Sequence, residues 1–216
     1  MAVNFAGRLT ALDVMRAAPV IPVIVLDDVA YAVPLAQALV RGGICMLELT
    51  LRTPQALACI ERIARDVPSA VVGAGTIRNA ADVRAAASAG AQFVVSPGYT
   101  AAVGLACRDA QLPLLPGVAT GTEIMAAQED GITECKFFPA VQAGGSAMLK
   151  AWAGPFQGVV FCPTGGITSA NAAEFLALAN VVCVGGSWLT PLDAIRQGDW
   201  ARIEQLARQA CELSKG

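Results

Sequence analysis

Two charged residues sit inside otherwise apolar runs, and a third follows one of them by four positions. Lys136 lies in Glu134-Cys135-Lys136-Phe137-Phe138, Glu48 in Cys45-Met46-Leu47-Glu48-Leu49-Thr50, and Arg52 comes just beyond. If the first run is a strand, alternation puts Glu134, Lys136 and Phe138 on one face. A lysine in mid-strand cannot easily extend its ammonium to water, and burial favours the neutral amine. A neutral amine attacks a carbonyl to form a Schiff base. The plainer reading of Lys136 is a buried ion pair with Glu134 or Glu48. Glu48 is subject to opposed influences, because burial favours the protonated acid and a nearby ammonium the carboxylate. Such a group can move protons in either direction, or it can simply compensate Lys136 or Arg52. Both readings of Glu48 can hold together. Arg52 can take a carboxylate bidentately, or it can be an ordinary surface arginine.

Absences narrow the chemistry further. The 216 residues include no histidine, which removes Ser-His-Asp and Cys-His catalysis, histidine bases and histidine-bound metals. Of the 15 basic residues only Lys136, Lys150 and Lys215 are lysines. The 7 cysteines are scattered without a C-x-x-C pair, so they read as small buried hydrophobes in a reduced protein. A net charge of −2 with 15% charged residues gives no electrostatic footprint for nucleic acid. The first twenty residues hold no basic head followed by an apolar segment, and no apolar run approaches the roughly 20 residues a membrane helix needs. The expectation is a soluble cytoplasmic protein with no membrane and no nucleic-acid partner.

Something must hold these groups, and the chain repeats a strand-then-helix unit. Runs rich in Val, Ile, Leu and Phe begin near Val20, Ile44, Ala70, Phe93, Leu112, Glu134, Val159 and Val181, at intervals of 19 to 26 residues. Between them lie Ala-rich helical patterns such as Val29–Arg41, Pro54–Asp66, Asn79–Ala89 and Ser169–Ala179, with helix-ending glycines at Gly42, Gly90 and Gly131. Eight such units with continuously apolar strands predict an α/β fold, a (β/α)8 TIM barrel formed by residues 1–216 as one domain. An additional helix over roughly Ala6–Ala17 is placed to cover the open bottom. A doubly wound open sheet shares the alternation, but no G-x-G-x-x-G opens a helix after the first strand.

In such a barrel chemistry collects at the strand C-termini. Those ends read Glu48, Thr50 and Arg52, then Gly73-Ala74-Gly75-Thr76, Ser96-Pro97-Gly98, Pro116-Gly117, Lys136-Phe137-Phe138-Pro139, Pro163-Thr164-Gly165-Gly166 and Gly185-Gly186-Ser187. The last two loops follow the seventh and eighth strands, where glycine N–H groups commonly hold a phosphate. Any one of these glycines could equally be a simple turn residue.

With Pro22-Val23-Ile24, Leu47-Glu48-Leu49-Thr50-Leu51-Arg52-Thr53, Val72-Gly73-Ala74-Gly75-Thr76, Lys136-Phe137-Phe138-Pro139-Ala140 and Phe161-Cys162-Pro163-Thr164-Gly165-Gly166-Ile167, the chain resembles the 2-keto-3-deoxy-6-phosphogluconate (KDPG) aldolase / 4-hydroxy-2-oxoglutarate (KHG) aldolase family from about Pro19 to Pro191. The resemblance implies a class I aldolase of the Entner–Doudoroff route, a lyase built as a homotrimer and needing no cofactor or metal. It would act on a small-molecule 2-keto acid phosphosugar. By similarity Lys136 forms the Schiff base and Glu48 is the general acid/base. Arg52 and Thr76 hold the pyruvyl carboxylate, Pro97 and Phe138 wall its pocket, and Thr164 meets the substrate hydroxyls. Gly165, Gly166, Gly186 and Ser187 match the phosphate loops. Val141 departs from the family pattern, in which many members carry a glutamate. Open alternatives are the same chemistry on 4-hydroxy-2-oxoglutarate or the galactonate-derived phosphosugar acid, a phosphosugar isomerase or epimerase without an imine, and a catalytically silent binding module.

Overall fold

The computed structural model describes residues 8–213. Within them parallel strands alternate with helices: β1 (Val20–Ile24), β2 (Met46–Thr50), β3 (Val71–Gly75), β4 (Val94–Val95), β5 (Leu114–Leu115), β6 (Gly117–Val118), β7 (Glu134–Phe137), β8 (Val160–Pro163) and β9 (Val184–Gly186). Hydrogen bonding orders them as two arcs, β5-β4-β3-β2-β1-β9 and β6-β7-β8. The arcs form one ring. β5 and β6 are halves of a single stave interrupted at Pro116, which has no N–H to donate. Its carbonyl still accepts from Lys136 N at 2.7 Å. At the other junction the bridges Phe161–Val181 and Thr164–Gly185 join β8 to β9. Eight staves therefore close as a (β/α)8 barrel, and the open doubly wound sheet is excluded.

Alternation along each stave divides two cores. Outward residues such as Leu47, Leu49, Val72, Ala74, Cys135, Phe137 and Phe161 pack beneath the helices. Phe137 and Phe161 meet Trp152 of α7 (Gly145–Trp152) with ring centroids 5.1 and 5.5 Å apart, contacts worth about 0.5–1.5 kcal/mol each beyond the area they bury. They fix the outer face of the strand that carries Lys136. Inward residues Ile21, Met46, Val71, Phe93, Val95, Leu115, Cys162 and Cys183 form a separate cluster with Val14 and Met15. The last two belong to α1 (Ala11–Arg16), started by a Thr10–Asp13 capping box. The expected bottom-covering helix is there from Ala11, and Ala6 and Gly7 lie outside the described residues.

Three local expectations need correction. The Val29–Arg41 helix opens with a 3-10 turn, Val29–Tyr31, before α2 (Ala32–Arg41). The Ser169–Ala179 pattern shortens to α8 (Ala172–Leu176), because Asn171 bonds backward into the preceding loop. Gly90 and Gly131 take the left-handed conformation of a helix stop, whereas after α2 that role falls to Gly43 (φ +99°). Gly42 stays right-handed and is needed for a different reason: a Cβ there would overlap Ala207 of α10 (Trp200–Cys211). No helix of the described residues is long and apolar enough to cross a membrane.

Candidate active site

The register that closes the barrel brings Lys136 and Glu48 together. Glu48 pairs in register with Val23 and Gly73, and Lys136 with Gly117 and Cys162, and both side chains point inward. Lys136 Nζ donates to Glu48 Oε1 at 3.1 Å across 88 residues of sequence. Their side chains are 5% and 4% exposed. Of the two partners expected for Lys136, the structure selects Glu48 over Glu134. The pair is a buried ion pair, at a distance across which a proton can pass.

Small residues and one aromatic ring shape its surroundings. A Cβ at Gly75 would overlap the Glu48 carboxylate, so the glycine of Gly73-Ala74-Gly75-Thr76 makes room for the acid. Gly73 likewise accommodates the ring of Phe93, which fills the barrel interior. The Phe138 ring centroid lies 5.3 Å from Lys136 Nζ, where the negative face of a ring attracts a cation.

Arg52 is exposed but not free. Its Nε donates to Thr76 Oγ1 at 3.1 Å. Thr76 has φ +60°, an outlying backbone conformation for a β-branched residue. Such strain persists where the surroundings over-determine it. Ile77 N is held by Val95 O at 3.2 Å, and the hydroxyl receives the guanidinium.

A cavity of about 250 Å³ opens at this end of the barrel. Arg52, Phe138 and Thr164 line it with the two glycine loops, Gly165-Gly166-Ile167 and Gly185-Gly186-Ser187, and with Val23 and Val25. Phe138 is shared between the cavity and the buried pair. Gly165 and Gly166 have φ +98° and +74°, and their N–H groups donate to no acceptor among the described residues. A glycine loop with uncommitted N–H groups along a cavity is an arrangement that can take an anion. Gly185 is required beside it, since a Cβ there would overlap Thr164 Oγ1. Thr164 is buried and its hydroxyl donates to Cys162 O at 3.3 Å.

Arg52, Phe138, Thr164, Gly165, Gly166, Gly186 and Ser187 thus share one cavity, with Thr76 bonded to its Arg52, Lys136 against its Phe138, and Glu48 joined to it through Lys136. Pro97 is not in the cavity wall; its carbonyl packs over Gly117, where no Cβ would fit. Sequence reasoning missed Gly75 and Gly185 as space-making residues, although each sits in a glycine-rich strand end. A larger cavity of about 420 Å³ lies at the opposite end of the barrel, among Ala17, Pro19, Val160 and Leu213. Among the described residues Arg16 is its only charged lining residue.

The fold and its contents can now be set beside known proteins. The sequence profile of the family described as KDPG and KHG aldolase matches residues 12–206. The KHG/KDPG aldolase of Escherichia coli K12 is 48% identical over 208 residues, spanning 96% of this chain and 98% of that protein. The 2-dehydro-3-deoxy-phosphogluconate aldolase of Dickeya dadantii is 49% identical over 203 residues, spanning 94% and 95%. Among solved structures, the KDPG aldolase from Legionella pneumophila, with pyruvate captured at low pH as a covalent carbinolamine intermediate, superposes with a TM-score of 0.93. It is 44% identical and covers 95% of this chain and 100% of that one. The 2-keto-3-deoxy-6-phosphogluconate aldolase of Zymomonas mobilis ZM4 with 3-phosphoglycerate gives a TM-score of 0.90 at 46% identity, covering 95% and 97%. A barrel of this form, with an amine and a carboxylate buried at its centre, is a member of an established group of lyases: the chain belongs to the KDPG and KHG aldolase family.

Proposed function

We propose that this aldolase cleaves 2-dehydro-3-deoxy-6-phosphogluconate reversibly to pyruvate and D-glyceraldehyde 3-phosphate, through an imine on Lys136. The observation that carries the reading is the buried Lys136–Glu48 contact of 3.1 Å. Before it can attack, the lysine must lose a proton, and the carboxylate within hydrogen-bond reach accepts it. Nζ then adds to C2 of the substrate, Glu48 passes the proton on to the departing oxygen, and loss of water leaves a protonated imine with Glu48 again a carboxylate. Glu48 takes the C4 hydroxyl proton, the C3–C4 bond breaks, and its electron pair moves into an enamine while the aldehyde departs. Glu48 returns a proton to C3, and water hydrolyses the imine to release pyruvate and the amine. The carbinolamine of the Legionella pneumophila relative is an intermediate of this type.

The remaining residues bind. Arg52 and Thr76 hold the pyruvyl carboxylate, a role suited to a guanidinium already oriented by a hydroxyl. Phe138 walls that half of the substrate, and Thr164 meets the sugar-acid hydroxyls. Gly165, Gly166, Gly186 and Ser187 take the phosphate through main-chain N–H groups and a hydroxyl. The 3-phosphoglycerate with the Zymomonas mobilis relative is, like glyceraldehyde 3-phosphate, a three-carbon phosphate ester. Binding energy from the phosphate is available at the reacting carbon. We read the chain as one catalytic domain that works in the cytoplasm as a homotrimer.

The test is reduction. Incubation with pyruvate and borohydride should attach the reduced three-carbon unit to the peptide carrying Lys136, as read by mass spectrometry. A modified Lys150 or Lys215, or no adduct, would overturn the assignment. An isomerase or epimerase without an imine gives no adduct. Rates measured side by side on the gluconate- and galactonate-derived phosphosugar acids and on 4-hydroxy-2-oxoglutarate order the substrates.

A further inference from the structure

Asn171 stands at the start of α8, yet its side chain caps no helix N–H. It reaches backward. Its Nδ2 donates to Gly166 O at 3.0 Å and its Oδ1 accepts from Thr168 N at 2.8 Å, so both ends of the amide are engaged with the glycine loop. The two carbonyls before Gly166 are held from the other side, Thr164 O by Ala140 N at 2.8 Å and Gly165 O by Val141 N at 3.1 Å. Val141 also packs against Gly166 so closely that a Cβ there would come within 2.8 Å of its side chain.

These three carbonyl contacts have a directional effect. In a planar trans peptide the C=O and the following N–H point in opposite directions. Holding Thr164 O therefore aims the N–H of Gly165, and holding Gly165 O aims that of Gly166. By the same geometry, holding Gly166 O aims the N–H of Ile167. That N–H has no acceptor among the described residues, and Ile167 lines the cavity with the two glycines. The first two carbonyls have main-chain partners; the third depends on one side chain.

We propose that Asn171 is a positioning residue for the anion loop: by holding the Gly166 carbonyl it aims the Ile167 N–H and makes it a third main-chain donor to the substrate phosphate. This rests on the reading of the 165–166 and 186–187 loops as the phosphate site. Asn171 itself touches no substrate atom in this arrangement. Two positive-φ glycines in succession leave the loop free to re-aim its peptides, and the asparagine removes that freedom.

The experiment compares Asn171→Ala and Asn171→Asp with the parent enzyme. The substrates are 2-dehydro-3-deoxy-6-phosphogluconate and 4-hydroxy-2-oxoglutarate, and inorganic phosphate is the inhibitor. Loss of one donor to a charged group should raise KM for the phosphorylated substrate by about tenfold while kcat moves by less than about threefold. The inhibition constant of phosphate should rise in parallel, and KM for 4-hydroxy-2-oxoglutarate should move several-fold less. Asn171→Asp keeps the acceptor for Thr168 N but sets an oxygen against the Gly166 carbonyl, so it should lose at least as much as alanine. Equal losses on both substrates, or an aspartate variant with the parent KM, would overturn the proposal. A parent enzyme that neither prefers the phosphorylated substrate nor binds inorganic phosphate would overturn the loop reading itself, and it would do so without any substitution.

Discussion

Replacing Lys136 by methionine and Glu48 by leucine, singly and together, tests whether this buried pair is held at the expense of the fold. At 3.1 Å and an effective dielectric of about 20, the two charges attract by about 5 kcal/mol. Against this stands the desolvation of two ions whose side chains are almost wholly buried, several kcal/mol for each. The terms nearly cancel in the intact pair. Remove one partner and the attraction goes while the other group's desolvation remains, so each single variant should lose about 3–5 kcal/mol. Remove both in favour of apolar side chains of similar volume, inside a barrel already lined by Met46, Phe93 and Val95, and stability should return. The double variant should match the parent, or exceed it by up to about 4 kcal/mol, with no lyase activity. Urea unfolding at one fixed protein concentration measures all four proteins. A double variant whose loss equals the sum of the two single losses would refute the reasoning. Lys136 and Glu48 would then contribute independent packing rather than a coupled charge pair.

Two further predictions concern backbone strain and buried thiols. Thr76→Gly should relieve the left-handed backbone at φ +60° and leave stability unchanged or higher by about 1 kcal/mol, while removing the acceptor for Arg52 Nε. Its KM for pyruvate in the condensation direction should rise, and unfolding and kinetic measurements on the same preparation check both halves. Burial pushes the Cys135 thiol up to about 12 and those of Cys59 and Cys107 to about 11, from an ordinary value of 9.0. A thiol whose folded pKa is raised contributes stability that is complete below pH 9 and is lost as pH climbs to 11–12, because only the unfolded chain ionises readily there. Unfolding midpoints should therefore fall across that window. Cys135→Ala should flatten the fall.

Much of this architecture is legible in the sequence because burial on both faces leaves a simple signature. The eight apolar runs needed no tertiary information, and Lys136 and Glu48 drew notice as the wrong residue type within such runs. Pairing was harder to read. Lys136 had Glu134 two residues away as a local candidate, and only barrel closure selects Glu48 at a separation of 88. The break at Pro116 is visible as a proline, but its effect of dividing one stave depends on which neighbours need its N–H. Space-making glycines are legible only when the occupant is known: Gly75 for the Glu48 carboxylate, Gly185 for the Thr164 hydroxyl. Asn171 looked like part of a helix, since its backward contacts depend on loop geometry that no periodicity encodes. Pro97, expected in the pocket wall, is absent from the cavity lining and packs on Gly117, a backbone contact that strand-end reading does not encode.

The ring is made of two arcs, and the buried amine and carboxylate are divided between them. Glu48 belongs to the six-strand arc and Lys136 to the three-strand arc. Backbone ladders fix distances within an arc, but the amine–carboxylate distance is measured across the hollow between arcs. It is set by the two joints, the chain running through Pro116 and the two bridges between β8 and β9. Thr164 and Gly185 form one of those bridges and also line the cavity. Residues that line the cavity are thus also residues that close the ring. The joint that shapes the cavity is therefore also one of the two that fix the spacing between amine and carboxylate.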